Sequence, residues 1–313
     1  MWMCSPPGAS EQLGTITKGD TQILLEKFAG RGAEVQANRT LARLKTFFGW
    51  CAEQGLVPAS PVLGMKPLLC KVARDRAFTD QEIRWFWAGC ATLGWPFGHR
   101  FKLLLVTAQR RDEVGGLALP ELDLGARLWV IPRERAKSDR VNEVALSDLA
   151  LDLIEAAKTE RNKHDHLEQS PLLFTTTGET VVSGFSRAKA NLDAAMERLA
   201  RRTRGLPEED AEYRKMLKLK SRQELPRQVP DWILHDLCRT GATGMAKLNV
   251  APHVVDNILN HTSGTIRGVA AVYNRFAYTE ERRAALDTWG RHLQSLTRLP
   301  QDDRTPSDNF SAA

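Results

Sequence analysis

The sequence predicts a mainly helical protein with a small antiparallel β-hairpin, in which a small helical domain precedes a larger one. Apolar residues recur at three- and four-residue steps through most of the 313 residues, which is the period of amphipathic helices. Two apolar segments, residues 128–132 and 141–145, instead favour β-strands, and the polar stretch between them predicts a turn near Ser138 and Asp139. The length suffices for roughly two domains.

The composition excludes several classes of protein. Hydrophobic residues make up 42% of the chain and charged residues 26%, which excludes a wholly disordered chain, a collagen-like rod and a disulfide-dense miniprotein. Lys and Arg number 44 against 38 Asp and Glu, so the net charge is +6 and the pI is about 9.1. Such a pI is typical of nucleic-acid-binding surfaces, although basic enzymes share it.

The cysteines and the apolar runs indicate where the protein works. The five cysteines lack the spacing of a metal site, and their odd number does not fit a disulfide framework. A reduced, cytoplasmic protein is therefore expected. The first residues lack the basic and apolar regions of a signal peptide, and the longest apolar run, residues 103–106, is too short to cross a membrane.

Two helical patterns define the first domain, which is predicted over residues 15–61. One pattern places Ile23, Leu24 and Phe28 on a common face. The other carries a longer apolar stripe, formed by Leu41, Leu44, Phe47, Phe48 and Cys51. Residues 1–14 contain consecutive prolines and a glycine and are predicted to form a disordered leader.

A proline-containing basic segment follows and is predicted to be an extended linker over residues 62–77. A plain proline-rich connector is the alternative. The exposed face of the first domain is also predicted to be basic. The cations of interest in the two segments are Arg39, Arg43, Lys45, Lys66, Lys71, Arg74 and Arg76.

The second domain is predicted over residues 78–299. Its first helix begins after Thr79, which opens a Thr-x-x-Glu capping box. A buried helix ends near Gln109, the hairpin follows, and Ser147 caps the next helix.

The rest of this domain is predicted to be helical, interrupted by an exposed polar insertion over residues 201–227. The last helix has an apolar face that either packs on its own domain or docks on a neighbouring subunit. Residues 300–313 are predicted to be a disordered tail. The apolar face consists of Ala285, Trp289, Leu293 and Leu296.

Polar residues at the predicted ends of elements form the candidate site. Each alone also suits a structural role, because an arginine after a helix interacts with the helix dipole and a hairpin lysine is commonly just solvated. Only their combination indicates a function. The residues are Arg110, Lys137, His235, Arg239, His261 and Tyr273.

The segments around these residues resemble the motifs of the tyrosine recombinases, the phage-integrase family. Residues 107–114 resemble the first arginine motif, and residues 232–237 resemble the second. Residues 260–261 are similar to the family's late histidine, and residues 272–275 to its nucleophile box. Lys137 matches the family's hairpin lysine. The resemblance implies a recombinase catalytic fold preceded by a helical core-binding domain.

The resemblance also implies the chemistry. Tyr273 would attack the scissile phosphate and form a 3′-phosphotyrosyl link, and Lys137 would protonate the leaving 5′ oxygen. Arg110 would clamp the nonbridging oxygens through its planar fork, with Glu113 orienting it from three residues on. This chemistry implies no metal or nucleotide cofactor.

Two histidines and a set of cations complete the implied site. His235 and His261 would hydrogen-bond the phosphate and assist proton movement. The cations of the first domain and the linker would grip duplex DNA, which the two domains would clamp from opposite faces. The family works as a tetramer on two duplexes, so the resemblance implies a homo-tetramer on DNA. It also implies accessory DNA-bending or directionality proteins as further partners.

Two departures from the family pattern qualify this expectation. The second motif has an arginine three residues after its histidine, where this chain has Cys238. A neutral thiol cannot make a bidentate charged contact, so strand cleavage is expected to be weak or absent unless Arg239 or Arg111 compensates. The helices begin near Thr15, so an amino-terminal arm-binding region of the family is expected to be missing and the core-binding domain incomplete.

Three hypotheses therefore follow from the sequence. The first is a mobile-element integrase, active or impaired, that would form a covalent adduct with DNA through Tyr273. The second is an inactive DNA-binding remnant or regulator that occupies attachment sites. The third is a basic helical adaptor of proteins, for which the motifs would be coincidental.

Overall fold

A computed structural model describes residues 13–68, 74–221, 223–260 and 278–298. It divides the chain into two compact units, Met1–Asp75 and Arg76–Ala313. The first twelve residues of the predicted leader and the predicted tail lie outside the described residues.

The first unit is built on two helices, α1 (Lys18–Ala29) and α2 (Glu34–Glu53). Thr17 and Asp20 form a capping box at the start of α1. The core of the unit also takes in two residues of the segment that the sequence assigns to the linker. It consists of Leu25, Ala37, Leu41, Phe48, Val62 and Met65.

The face of α1 differs from the prediction. Ile23 and Leu24 are exposed, whereas Thr21 and Leu25 are buried. Phe28 is half-buried and packs against the core, as predicted, so the buried stripe runs through Thr21, Leu25 and Phe28. Leu24 lies about 100° around the helix from Leu25. Two large apolar side chains of α1, those of Ile23 and Leu24, are therefore left exposed by the described part of this unit.

The second unit is mainly helical, as predicted, and its helices are numbered onward in chain order. A short 3₁₀ turn, Leu119–Glu121, precedes the sheet. None of the helices in the described parts of the chain is both long and apolar enough to span a membrane. The helices are α3 (Asp80–Leu93), α4 (Phe97–Thr107), α5 (Arg111–Gly115), α6 (Asp148–Arg161), α7 (Phe185–Thr203), α8 (Asp210–Met216), α9 (His235–Lys247), α10 (Pro252–Ile258) and α11 (Thr279–Thr297).

The sheet has three antiparallel strands in the order β1 (Leu122–Asp123), β2 (Leu128–Ile131) and β3 (Asn142–Ala145). β2 and β3 form the predicted hairpin and pair Ile131 with Asn142 at the end that leads into the turn. The hairpin loop therefore projects residues 132–141, and with them Lys137, from one end of the sheet.

Helix α4 lies at the centre of the second unit, and α11 packs against it. The indole of Trp289, a residue of α11, is buried and donates to the Leu105 carbonyl of α4 at 2.9 Å. Gly244 of α9 provides the space for this ring, since a Cβ at that position would overlap it. The apolar face of the last helix thus packs on its own domain, which decides between the two alternatives left by the sequence.

Candidate active site

Arg110 is placed by a sharp turn after α4. Ala108 ends the helix in a left-handed conformation, with φ of 55°, and Arg110 is the N-cap residue of the short α5. Gly241 of α9 packs against the turn so closely that a Cβ there would lie 2.8 Å from the Ala108 Cβ. A small residue at each position therefore allows α9 to approach the arginine motif.

Glu113 holds Arg110 in place. Its carboxylate is buried and accepts hydrogen bonds from the Arg110 side chain at 3.0 Å and from the Arg110 backbone N–H at 3.1 Å. The Arg110 side chain is 21% exposed, so its guanidinium is oriented without being covered. A bond from Arg110 to the Asn260 carbonyl, at 3.4 Å, ties the same guanidinium to the end of the segment after α10.

The hairpin loop that carries Lys137 is tethered to the same carboxylate. The Lys137 backbone N–H donates to Glu113 at 3.4 Å, while the Lys137 side chain is exposed. Arg135 anchors the base of the loop through two bonds to Glu121, at 2.7 and 2.6 Å, and a bond to the Glu113 carbonyl. One buried carboxylate thus positions both the arginine and the hairpin lysine backbone.

His235 begins α9 and lies beside the cations of the site. Burial lowers the pKa of His235, and Arg239, Lys137 and Arg110 lower it further, against the opposing effect of Asp236. The imidazole is therefore predominantly neutral at pH 7. A neutral ring can accept a proton during a reaction as well as donate a hydrogen bond.

Cys238 lies about one helical turn after His235 on α9 and faces the arginine motif. Its thiol donates to the Gln109 carbonyl at 3.0 Å. Burial and the Glu113 carboxylate raise the pKa of Cys238 to about 11, with Arg110 opposing. The group is thus a neutral thiol that faces Glu113 and Arg110.

The two arginines that the sequence offers as replacements for the second guanidinium of the family motif are engaged elsewhere. Arg239 donates to the buried Asp236 carboxylate at 2.6 Å. Arg111 pairs with Asp112 at 2.8 Å, and half of its side chain is exposed. Neither arginine makes a hydrogen bond to Cys238, Glu113 or Arg110 among the described residues.

A buried pair of amides, which the sequence analysis did not single out, joins the segments of this site. Gln109 accepts from the Asn142 side chain at 2.8 Å and donates to the Thr107 and Ile258 carbonyls, each at 2.9 Å. The available signal was Asn142, a polar residue at an inward-facing position of a strand. The pair links the arginine motif to the hairpin and to the end of α10.

The predicted phosphate-binding cations of the first unit are exposed. Arg39 and Arg43 lie on one face of α2, whereas Lys45 is about 200° around the helix from Arg43. Lys66 is also exposed. Lys71 lies outside the described residues.

Arg74 and Arg76, at the junction of the two units, differ from each other. Arg74 is exposed. Arg76 instead pairs with Glu82, at 2.5 and 3.1 Å, and donates to the Ala77 carbonyl. Its side chain therefore stabilises the start of α3, and its contact with the DNA backbone stays a prediction.

His261 and Tyr273 lie outside the described residues. The described chain reaches Asn260, whose carbonyl contacts Arg110. Among the described residues no group of three or more His, Cys, Asp or Glu side chains has the arrangement of a metal site. The structure therefore brings together Arg110, Glu113, the Lys137 backbone, His235 and Cys238.

Comparison with known proteins identifies similar sequences. The model of the phage integrase family matches residues 80–279. Tyrosine recombinase XerC 2 of Ralstonia nicotianae is 33% identical over 165 residues, which cover 50% of this chain and 46% of the relative. The chain thus spans about half the length of this curated relative.

Solved structures of integrases share the fold. A lambda integrase dimer bound to a COC′ core site superposes with a TM-score of 0.51 and 16% identity, covering 80% of this chain and 78% of that one. The Tn1549 transposon integrase in complex with circular intermediate DNA gives 0.53 and 14%, covering 88% of each chain. A lambda integrase tetramer bound to a Holliday junction gives 0.52 and 15%, covering 81% of this chain and 64% of that one. At these identities the likeness concerns the fold.

Proposed function

The chain belongs to the phage integrase family of tyrosine recombinases, and we propose that it is a site-specific DNA recombinase of a mobile element whose strand-cleavage step is impaired at Cys238. Its substrate is duplex DNA, and it works as a tetramer on two duplexes. The oriented Arg110 guanidinium beside Lys137 and His235 supports this assignment, because these groups suit a phosphodiester.

In the proposed reaction, the Tyr273 phenol oxygen forms a bond to the scissile phosphorus as the bond from phosphorus to the 5′ oxygen breaks. Lys137 gives a proton to the leaving 5′ oxygen, and Arg110 neutralises charge on the nonbridging oxygens. His235 and His261 hydrogen-bond the phosphate and assist movement of the phenolic proton. A free 5′-hydroxyl later attacks the phosphotyrosine and restores the DNA backbone, so the energy of the bond is conserved.

The observation that supports the proposed impairment of strand cleavage is the contact that Cys238 makes with Gln109. Its buried thiol donates to the Gln109 carbonyl beside Arg110, so a neutral group stands where the family motif has a second guanidinium. Loss of one charged donor at a transition state costs on the order of 10²–10³ in rate. The engagement of Arg239 by Asp236 and of Arg111 by Asp112 argues against replacement by either neighbour.

The same observation favours one alternative, an inactive DNA-binding protein that occupies attachment sites. It predicts salt-sensitive binding to DNA without a covalent adduct. The two functions differ in one measurable property, which is the formation of a phosphotyrosine bond.

A covalent-trapping assay distinguishes them. A core site would be selected from a random duplex library by binding to the chain, then nicked so that cleavage releases a short fragment and traps the adduct. The wild-type chain, Cys238→Arg, Cys238→Met and Tyr273→Phe would be compared on denaturing gels, with circular dichroism as the check on folding.

We expect a faint adduct from the wild-type chain and an adduct rate about 10²–10³ higher for Cys238→Arg. Cys238→Met, which adds volume without charge, should match the wild type, and Tyr273→Phe should give none. A folded Cys238→Arg protein with an unchanged, faint adduct would refute the role assigned to Cys238. The absence of an adduct from every variant, with DNA binding retained, would favour the occupancy function.

A further inference from the structure

The insertion between α7 and α9 presents a cluster of lysines at the end of α8. Lys215, Lys218 and Lys220 are exposed. None of the three makes an ion pair within the part of the chain that the structure describes. We refer to these three residues as the lysine turn.

The backbone of the lysine turn is held in a defined conformation. Lys218 has a left-handed φ of 54°, and the Leu219 N–H bonds back to the Arg214 carbonyl at 3.1 Å. The Arg214 side chain donates to the carbonyls of Lys220 and Gln223. The cations are therefore displayed from a fixed turn.

Helix α8 is itself anchored on α7. Tyr213 is buried, the Arg201 guanidinium lies 4.5 Å from the centre of its ring, and Gln228 donates to its hydroxyl at 2.9 Å. Arg201 also pairs with Asp210 at 2.7 Å. Asp210 at the start of α8 thus pairs with Arg201 of α7, and the lysines lie at the other end of α8.

The two ends of the insertion pack against the segment around α3, and the second end leads into α9. The chain leaves α7 at Thr203, which bonds to Trp85 near the start of α3. It returns at Trp232, whose ring lies 5.1 Å from that of Phe78. His235 begins α9 three residues later.

We propose that the lysine turn is an auxiliary contact to the phosphates of the DNA backbone, separate from the catalytic cations. The inference rests on the proposed function, because it assumes a DNA substrate. Lysine is depleted at protein–protein interfaces but suits phosphates as a point charge. Three exposed lysines within six residues therefore fit a polyanionic backbone better than a protein surface.

A purely structural role for these lysines makes a different prediction. Cations near the carboxyl end of a helix stabilise it through the helix dipole. In that case their removal would lower the thermal stability and leave the salt dependence of DNA binding unchanged. Lys218 and Lys220 lie beyond the end of α8, where this stabilisation fades.

The test measures the affinity of the full chain for a fluorescently labelled duplex of random sequence over a range of salt concentrations. The variant Lys215→Gln, Lys218→Gln, Lys220→Gln is compared with a control that loses three charges elsewhere in the unit, Lys158→Gln, Lys163→Gln, Arg291→Gln. A third protein replaces the three lysines with arginines and keeps their charge.

Each lost phosphate contact should reduce the slope of log affinity against log salt by about 0.9. We expect the glutamine variant to lose about 2 to 3 units of slope relative to the control, and the arginine variant to retain the wild-type slope. Equal slopes for the glutamine variant and the control would overturn the inference, whether the lysines then serve an acidic protein or only the helix. A wild-type chain without salt-dependent binding would instead refute the proposed function.

Discussion

At the scale of single residues, the buried carboxylate of Glu113 determines the geometry of the candidate site. Its two oxygens accept from the Arg110 side chain, the Arg110 backbone and the Lys137 backbone. A carboxylate with these partners couples the phosphate clamp to the general acid proposed for the leaving group. Removal of Glu113 would therefore disturb two proposed functions through one buried position.

The pH dependence of stability should report on His235. Burial and nearby cations hold its pKa below the ordinary value of 6.5, so the folded chain binds this proton less tightly than the unfolded chain. The resulting stability is fully present above pH 6.5 and is lost as the pH falls through the lower pKa of the folded state. We expect His235→Gln to weaken the decline in unfolding free energy below pH 6.5, by less than about 1.4 kcal/mol per pH unit.

The measurement is urea denaturation of both proteins at several pH values. Contributions from the other histidines are common to the two proteins and cancel in the difference. A difference between the proteins that does not vary with pH would contradict the assignment.

The sequence could predict the pairing of Arg110 with Glu113, because an N-cap residue and the residue three positions on are neighbours in the first turn of a helix. It could not predict that the Cys238 thiol donates to the Gln109 carbonyl, since those residues are 129 positions apart. The partners of Arg239 and Arg76 were missed for a related reason. The periodicity of a sequence indicates which face of a helix a cation lies on, but not whether its side chain pairs with a neighbouring carboxylate.

At the scale of elements, the Gln109–Asn142 pair holds strand β3, the arginine motif and α10 together. Gln109 uses its N–H₂ group for two carbonyls, so its oxygen must face Asn142. An acidic group in place of Asn142 would set two acceptors against each other in a buried position. The direction of the amide thus makes Asn142→Asp a sharp test.

We expect Asn142→Asp to destabilise the second unit by about 1–3 kcal/mol at neutral pH, which is the cost of leaving a buried polar group unsatisfied. Burial without a donor should raise the pKa of the new carboxyl, so the penalty should grow as the pH rises from about 4 to 8. Denaturant melts at both pH values would measure it. Asn191→Asp, on the exposed face of α7, is the control and should change stability by less than about 0.5 kcal/mol.

The contact of α9 with α11 depends on Gly244. A methyl group at Gly244 would overlap the buried Trp289 ring, and such overpacking costs about 1–3 kcal/mol. Gly244→Ala should therefore lower the thermal midpoint of the second unit, even though alanine favours helix formation. Ala246→Ser, on the exposed side of the same helix, should leave the midpoint nearly unchanged; equal midpoints for both variants would contradict the packing argument.

Elements with strong local signals were predictable, and their packing was less so. The Thr79 capping box and the Ser147 cap both occur as expected, because each depends on residues within one turn. The buried side of α1 was not predictable, since Ile23 and Leu24 are as apolar as Leu25 and only the tertiary contact selects among them. β1 has two residues, too few to give a periodic signal.

At the scale of the whole molecule, the chain consists of two units with separate hydrophobic cores. Exposed arginines on α2 of the first unit and the site of the second would act on the same duplex in the proposed function. Covalent linkage then makes binding of the second unit intramolecular and raises its effective concentration. Affinity for DNA should accordingly depend on the continuity of the chain between the units.

A protease site inserted within residues 69–73 would test this dependence. Cutting the chain in the absence of DNA should weaken its binding to a duplex by about 10²-fold or more, because neither severed unit retains the effective concentration supplied by the other. The salt dependence should also become shallower, since fewer phosphates are neutralised in a single binding event. The uncut protein with the same insertion is the control, and undiminished affinity after complete cutting would mean that one unit alone binds the DNA.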